Sequence, residues 1–376
     1  MLHLEVRTAA TYSNLVHPMP QDTVIVEYVR PWVPSGRMYI VSTELLDRAS
    51  GWLGRADMTT AADGTWILVY RQASSHQPVA DAHYVIRHSI DEGRTWTLPN
   101  QTVDGEPVTG FPYNPDHDTN DAIVTCLSNG DLLFLSGDIE PDGDRLEPRQ
   151  LRSTDGGRHW SDEGTIPMTG YPDTERSLKP QDATTFGDTV YLAHHVDPGG
   201  DRSRPFHSGL TASNDGGRSW RYVADITELP RDTNEVGLAA VDGELVAIVR
   251  DMDGRRTWIA RSNDDGETWI VADATAQLGI MQRAKLTTTT VGDQARLIAF
   301  GRHHVDRRDR RNAIAYSDDA GRTWCGPFDL DTGLANSGYN GLLPRVDGRL
   351  YTVVYRGTAD SADLYGITVS ADQRPT

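Results

Sequence analysis

The chain is poor in cysteine, which limits what can hold it together. Of its 376 residues only Cys126 and Cys325 are cysteines. The disulfide framework of a small secreted domain needs more of them at regular spacing. We therefore expect two buried thiols and a large apolar core. No histidine or cysteine spacing resembles a metal site, so we expect neither a metal nor an organic cofactor.

Positive charge is also scarce, and lysine is almost missing. The chain has 36 basic and 54 acidic residues, for a formal net charge of −18, and its only lysines are Lys179 and Lys285. Nucleic acids and anionic membranes select basic surfaces. We therefore expect neither as a partner, and any acidic ligand must be bound by a local cluster of cations.

Long apolar runs are absent. No segment approaches the roughly 20 residues of a membrane-spanning helix. The first residues, Met1–Arg7, contain an early glutamate and lack the apolar core of about 7 to 15 residues that a secretory signal requires. We expect no membrane span, and a location that is either cytoplasmic or, if a signal has been removed, outside the cell. The residues do not indicate an oligomeric state.

Helical periodicity is missing too, since apolar residues rarely repeat at spacings of three and four without a Gly, Pro or Asp-Gly break. Short apolar runs are instead separated by two-residue signals typical of β-hairpins. These signals are Asp63-Gly64, Asn129-Gly130, Gly187-Asp188, Asp242-Gly243, Gly292-Asp293 and Asp347-Gly348. The sequence therefore predicts an all-β fold with six hairpins.

One motif, Ser-x-Asp-x-Gly-x-Thr/Ser/His-Trp, occurs five times at a spacing of roughly 50 to 65 residues, the size of one propeller blade. We call each copy a box; the boxes cover residues 89–96, 153–160, 213–220, 262–269 and 317–324. The Asp can accept hydrogen bonds from its own turn, the Gly can supply a positive φ, and the Trp can be buried between sheets. We expect the boxes to build the scaffold and to take no part in chemistry.

Hairpins and boxes together predict a six-bladed β-propeller of four-stranded antiparallel blades, in a single domain over residues 1–376. Six units fill residues 51–370, after an extension over residues 1–20. The sixth unit lacks a box and a fourth strand. Because a closed ring leaves no free sheet edge, a strand within residues 21–50 should complete it. Thr23–Val29 is the first candidate, and Arg37–Thr43 is the alternative.

In a propeller, the first strand of each blade starts, and the second strand ends, at one end of the central channel. We call this end the mouth. Counting from each hairpin glycine places mostly ionisable residues there. The starts are Arg55, Asp121, Lys179, Glu235, Lys285 and Tyr339, and the ends include Arg71, His194, Arg250, Arg302 and Arg356. Charges that converge in a concavity indicate a ligand site.

The five boxes and the segment Asn234–Arg250 resemble the sialidase (neuraminidase) superfamily of six-bladed propellers, over roughly residues 50–370. The resemblance implies an exo-acting glycoside hydrolase that releases a terminal acidic sugar, such as sialic acid, with retention. It assigns the substrate carboxylate to Arg55, Arg250 and Arg311, with Arg310 as a competitor for the third place. Guanidinium groups suit this task because their planar fork of donors meets a carboxylate bidentately.

The same resemblance makes Tyr339 the nucleophile and Glu235 the carboxylate that takes its proton. A phenol has a pKa near 10 and needs such a base. A neutral nucleophile also avoids the repulsion that a carboxylate would meet at a carbon bearing the substrate's own carboxylate, which explains a departure from the usual two-carboxylate scheme.

The general acid belongs, by the resemblance, in the loop Arg71–His83. Asp81 is the only carboxylate of that loop, and His76 and His83 are alternatives because imidazole can carry a proton near neutral pH. The family's Arg-Ile-Pro is replaced here by Arg55-Ala56-Asp57. On a regular strand Asp57 would project to the same face as Arg55, where it could pair with Arg55 or supply the acid itself.

Four further residues, Asp57, Arg71, Lys179 and Lys285, are also expected to contact the carbohydrate. Two other functions fit the same scaffold, since a fold does not determine an activity. A glycosidase or polysaccharide lyase acting on a uronic acid is favoured by His76, His83, His194 and His195, because a lyase needs a base. A non-catalytic propeller that binds a glycan or a protein is the other.

Overall fold

The computed structural model describes residues 38–48, 51–77, 79–97, 102–103, 106–107, 118–139, 146–166, 168–170, 177–197, 206–227, 232–304, 310–330 and 336–371. The strands are β1 Met38–Asp47, β2 Trp52–Thr60, β3 Trp66–Ala73, β4 His83–Ser89, β5 Thr102–Val103, β6 Glu106–Pro107, β7 Asp118–Cys126, β8 Leu132–Ile139, β9 Leu146–Ser153, β10 Ser161–Thr165, β11 Met168–Thr169, β12 Ser177–Phe186, β13 Thr189–Asp197, β14 His207–Ser213, β15 Trp220–Asp225, β16 Thr233–Val241, β17 Glu244–Asp251, β18 Thr257–Ser262, β19 Ile270–Asp273, β20 Ile280–Val291, β21 Gln294–His304, β22 Arg310–Ser317, β23 Cys325–Asp329, β24 Asn336–Pro344, β25 Leu350–Gly357 and β26 Ala362–Ala371. Within these ranges the one helix is α1, Thr275–Leu278. The all-β prediction is confirmed.

Apart from β5 and β6, which pair with each other in a separate sheet, the strands form successive antiparallel meanders. Three sheets have four strands each, β7 to β10, β16 to β19 and β20 to β23. In a fourth sheet β12 to β15 gain β11, which runs parallel to β15. The last and first meanders share a seven-stranded sheet, because β26 meets β2 in parallel at Ala362 and Trp52. Four-stranded antiparallel blades are thus observed in part, with these two departures.

A strand near the N-terminus completes the last meander. β1 runs antiparallel to β26, from the pair Met38 and Ala371 to the pair Asp47 and Leu364. It contains most of the alternative segment Arg37–Thr43. The first candidate, Thr23–Val29, lies outside the described residues.

All six predicted hairpins are present, each with its turn dipeptide between two paired strands. The boxes fold as their chemistry predicts. In the fourth box, Ser262 Oγ accepts the Gly266 N–H at 2.9 Å and Asp264 accepts the Thr268 N–H at 3.0 Å. The other four boxes repeat both bonds. Their role in the scaffold is confirmed.

Among the residues that the structure describes, the core consists of six apolar clusters, each between two successive meanders. Between the first and second, for example, Ile67 and Val69 pack against Leu132 and Phe134. Each box Trp belongs to one of these clusters or packs against it. Since both faces of the sheets are covered, strands such as Trp66–Tyr70 are buried continuously, and their sequence shows no alternation.

The two thiols differ from the prediction. Cys126 is half-buried in β7, and Cys325 is exposed because it begins β23, the outermost strand of its sheet. The prediction of two buried thiols is therefore wrong for Cys325. Among the described residues no helix has the length and apolar character to cross a membrane.

The first strands of the meanders are neighbours. β2 lies beside β7, β7 beside β12, β12 beside β16, β16 beside β20 and β20 beside β24, and β24 lies beside β2. Side chains near the starts of these six strands are thereby brought close together.

Candidate functional site

Each of the six first strands has a bulge near its start, where the pairing with the second strand skips one or two residues. A bulge redirects a side chain out of the regular alternation. The bulges contain Arg55 in β2, Asp121 in β7, Gln181 in β12, Glu235 in β16, Arg283 in β20 and Tyr339 in β24. Arg55 and Arg283 have positive φ angles of 52° and 48°, a conformation that residues with a side chain rarely adopt. These positions form the described part of the mouth.

One group of mouth residues surrounds Asp121, which is 1% exposed. Asp121 Oδ1 lies 3.2 Å from Arg55 Nη1 and 3.4 Å from Arg283 Nη2. Asp121 Oδ2 lies 3.2 Å from Lys179 Nζ and accepts a hydrogen bond from Gln181 Nε2 at 3.2 Å. We call these five residues the Asp121 cluster. Burial would raise the pKa of Asp121, but Arg283, Lys179 and Arg55 outweigh it and hold the pKa well below its usual range.

A second group surrounds Glu235. The Glu235 carboxylate lies 2.9 Å from Arg250 Nη1. Burial would raise the pKa of Glu235, but the charges of Arg250, Arg283 and Arg302 lower it below its usual value, so Glu235 is ionised at neutral pH. Burial lowers the pKa of Arg310, and the charges of Arg302 and Arg250 lower it further. We call Glu235, Arg250, Arg302 and Arg310 the Glu235 cluster.

The structure separates the two candidates for the third arginine. In the β21–β22 pair His304 is opposite Arg310, and His303 is opposite Arg311, so the two arginines lie on opposite faces of the sheet. Arg310 shares its face with Arg302. Arg311 lies 2.8 Å from Asp329, which His303 also contacts. This geometry favours Arg310 over Arg311 for the third arginine, and the assignment of that place stays a prediction.

Lys285 lies between two buried carboxylates, at 2.8 Å from Asp57 Oδ1 and 2.6 Å from Asp182 Oδ1. We call these residues the Lys285 triad. Burial would lower the pKa of Lys285, but Asp182 and Asp57 raise it above its ordinary value. The expectation that Asp57 pairs with Arg55 is wrong, because the bulge at Arg55 breaks the alternation that would have placed both side chains on one face.

The loop after β3 gives its residues different surroundings. Arg71 is buried and donates to the carbonyls of Ser75 and Gln77, at 2.8 and 3.0 Å, so it holds the loop in place. Asp81 is exposed, and its carboxylate accepts hydrogen bonds from the N–H and the hydroxyl of Ser74. The half-exposed His83 contacts the Asp81 carbonyl. These contacts do not connect the Asp81 carboxylate to either of the two clusters.

His76 connects the loop to the Asp121 cluster. Its carbonyl accepts a hydrogen bond from Arg55 Nη2 at 3.4 Å, and its ring centroid is 5.0 Å from that of Trp52. Burial, with the charges of Arg55 and Arg71, lowers the pKa of His76 to about 4. His76 is therefore a neutral imidazole at pH 7.

The structure places four of the predicted site residues in the two clusters, and all the predicted roles stay predictions. Arg55, Lys179, Glu235 and Arg250 lie in the two clusters, as the hairpin count requires. For Tyr339 the described backbone lies in the bulge of β24, and its side chain is outside the described residues. The roles of Tyr339 and Asp81 stay predictions.

The sequence did not point to Gln181, Asp182 or Arg283, and it placed Arg302 at the mouth without a specific role. Gln181 and Arg283 each stand two residues from a predicted lysine, a displacement that the bulges produce and that a count along a regular strand does not include. No three His, Cys, Asp or Glu side chains are grouped to hold a metal within the part of the chain that the structure describes.

A family model and a known protein each match a part of this chain. The family model described as a BNR repeat-like domain matches residues 112–352. A sialidase of Micromonospora viridifaciens is 34% identical over an alignment of 127 residues, and the match covers 28% of this chain and 20% of the relative. The match thus spans a fifth of that relative's length.

Solved structures share the fold at low identity. A protein of unknown function from Dyadobacter fermentans has a TM-score of 0.70 at 18% identity, covering 90% of this chain and 100% of its own. A Hadza microbial sialidase has a TM-score of 0.64 at 20% identity, covering 85% and 65%. Trypanosoma rangeli sialidase with the inhibitor DANA has a TM-score of 0.62 at 16% identity, covering 88% and 57%. These likenesses concern the fold alone.

Proposed function

Because the chain belongs to the BNR repeat-like domain family, we propose that it is a glycoside hydrolase that releases a terminal acidic sugar, most simply sialic acid, with retention. The observation that carries this proposal is the Glu235 cluster, in which the charges of Arg250 and Arg302 act on an ionised carboxylate and Arg310 lies near these two arginines. The buried Nε of Arg250 has no hydrogen-bond partner among the described residues. Three guanidinium groups around a single carboxylate leave an excess of positive charge that suits an acidic sugar.

In the proposed mechanism Arg250, Arg302 and Arg310 bind the substrate carboxylate, and Arg55 is held by Asp121 in the neighbouring cluster. Glu235 takes the phenolic proton of Tyr339 as its oxygen attacks the anomeric carbon. A proton from the loop after β3, which we assign to Asp81, goes to the leaving oxygen. Water then displaces Tyr339, and the sugar leaves with its original configuration.

The scaffold of this enzyme is proposed to be one closed six-bladed propeller. Two observations support closure. The first strands are neighbours in an unbroken series from β2 to β24 and back to β2, and β1 supplies a fourth strand to the last meander. We also propose that residues 1–376 form a single domain and that the ligand is a carbohydrate bearing a carboxylate.

A second candidate, a lyase acting on a uronic acid, is favoured by His76. A lyase removes the proton next to the sugar carboxylate and breaks the glycosidic bond by elimination, so it needs a neutral base close to cations. His76 has a pKa of about 4 and lies near Arg55 and Arg302. This candidate predicts an ultraviolet-absorbing unsaturated product from a uronate polymer.

Release of a fluorophore from a fluorogenic sialoside tests the proposal. We expect turnover by the wild type and a loss of roughly 100-fold or more in kcat for Tyr339→Phe, because covalent catalysis requires the phenolic oxygen. If the wild type shows neither turnover nor binding of a sialic-acid transition-state analogue, the proposal fails. An unsaturated product from a uronate polymer would indicate the lyase instead.

A further inference from the structure

The Lys285 triad connects five first strands through one lysine. Asp57 belongs to β2, Asp182 to β12 and Lys285 to β20. The second oxygen of each carboxylate reaches the next strand in the series: Asp57 Oδ2 accepts the Val124 N–H of β7 at 3.0 Å, and Asp182 Oδ2 accepts the Leu238 N–H of β16 at 2.9 Å. The positions of β2, β7, β12, β16 and β20 are therefore linked through Lys285.

Each residue of the Lys285 triad follows a residue of the Asp121 cluster by one or two positions in the sequence. Asp57 follows Arg55 by two residues, Asp182 directly follows Gln181, and Lys285 follows Arg283 by two. Arg55, Gln181 and Arg283 all contact Asp121. The same three strands thus supply two charged layers, one around Lys285 and one around Asp121.

From this arrangement we propose that Lys285 is a positioning residue, which fixes β2, β12 and β20 so that Arg55, Gln181 and Arg283 meet at Asp121. Arg55 and Arg283 have strained positive φ angles, and such conformations persist only when the surrounding structure holds them. The triad supplies this restraint. Lys285 does so without touching the ligand, which replaces the expectation that Lys285 and Asp57 bind the carbohydrate.

The charges of the triad explain why a lysine is needed. Two buried carboxylates without a cation would repel each other, and one would have to take up a proton. Burial already raises the pKa of Asp182 despite the opposing charge of Lys285, and Asp57 adds to the increase. An uncharged residue at position 285 would therefore loosen the connection between the strands.

The chain offers a direct test because Lys179 and Lys285 are its only lysines. Lysine labelled with ¹³C at Cε gives two NMR signals, and Lys285→Met leaves only that of Lys179, which contacts Asp121. Burial lowers the pKa of Lys179, and repulsion by Arg55 and Arg283 adds to the decrease. If Lys285→Met releases these arginines, the repulsion weakens, and the pKa of Lys179 should rise by roughly 0.5 unit or more.

Two controls make the result specific. Lys285→Arg keeps the charge and should leave the Lys179 titration within about 0.2 unit of the wild type. Arg349→Met, in the exposed turn before β25, removes a cation far from the mouth and should leave it unchanged. A folded Lys285→Met protein whose Lys179 titrates as in the wild type would overturn the proposal.

If Lys285→Met does not fold, the same titration is measured on the variant Asp182→Asn. This variant keeps the pair of Lys285 and Asp57 and an acceptor for the Leu238 N–H, and the same upward shift of Lys179 is expected. An unchanged Lys179 in that folded variant would equally overturn the proposal.

The inference rests on the proposed function only in treating the mouth as a ligand site, and the NMR readout needs no turnover. The Lys179 titration therefore tests the positioning role of Lys285 even if the protein has no hydrolase activity. If the sialoside is hydrolysed, Lys285→Met should lower kcat by roughly 10- to 100-fold, because small displacements of positioning groups are costly to catalysis, and Lys285→Arg should restore part of the loss.

Discussion

At the scale of single residues, His194 links the fold to pH. It is fully buried in β13, beside Tyr222. Burial lowers its pKa from 6.5 to about 4. Below pH 6.5 His194 binds a proton in the unfolded chain. In the folded protein it binds one only when the pH falls to about 4. The stability contributed by the neutral imidazole is complete above pH 6.5 and is lost progressively as the pH falls toward 4.

We therefore expect the thermal midpoint of the wild type to fall between pH 6.5 and pH 4.5. His194→Gln should make this fall shallower because it removes one of the groups responsible. The measurement is differential scanning calorimetry at closely spaced pH values. His83→Gln, at a half-exposed position, is the control and should keep the wild-type slope; equal slopes for His194→Gln and the wild type would contradict the account.

Residue positions were predictable from the sequence only as far as regular alternation extends. Counting from the Asp242-Gly243 turn leads to Glu235 and Arg250, which the structure pairs with each other, because the intervening strands are regular up to the bulge. Gln181 and Arg283 could not be placed, since a bulge adds residues that no turn signal announces. The choice between Arg310 and Arg311 required the register of β22 on β21, which depends on tertiary pairing.

At the scale of elements, Gly237 allows β16 and β20 to approach closely. A Cβ at Gly237 would lie 2.2 Å from the carbonyl oxygen of Ala284, a backbone atom that cannot turn aside. Gly237 follows Glu235 by two residues along β16, and Ala284 directly follows Arg283 along β20. The spacing of these two strands therefore sets the spacing of the two clusters.

Gly237→Ala should lower the free energy of unfolding by about 1–3 kcal/mol or more, because an added methyl group overpacks a backbone contact. Chemical denaturation measures this change. Gly243→Ala, in an open hairpin turn with a positive φ of 79°, should cost only about 1 kcal/mol, the strain of a left-handed residue. Similar costs for the two variants would show that β16 and β20 separate easily.

The hairpins and boxes were predictable because their signals are local: two turn residues, or a Ser, an Asp and a Gly that bond to one another within a few positions. The bulges, β11 and the pairing of β26 with β2 were not, because each depends on which strands become neighbours.

At the scale of the whole molecule, charge is distributed unevenly. The chain carries a net charge of −18, yet both lysines and several arginines lie in the Asp121 cluster, the Glu235 cluster and the Lys285 triad. Like charges held together raise the free energy of the folded state, and such clusters occur where an opposite charge binds. This contrast between an acidic chain and a basic mouth supports a ligand with a carboxylate.

The most direct test of the central claim compares two adjacent arginines. We expect Arg310→Met to raise KM for a fluorogenic sialoside by roughly 10- to 100-fold, because a guanidinium on a carboxylate is a charge-assisted bidentate contact. Arg311→Met, whose partner is Asp329, should leave KM within about 2-fold of the wild type, as expected for an exposed ion pair. Equal effects of the two substitutions, or a larger effect of Arg311→Met, would contradict the assignment of the Glu235 cluster as the site of the acidic sugar.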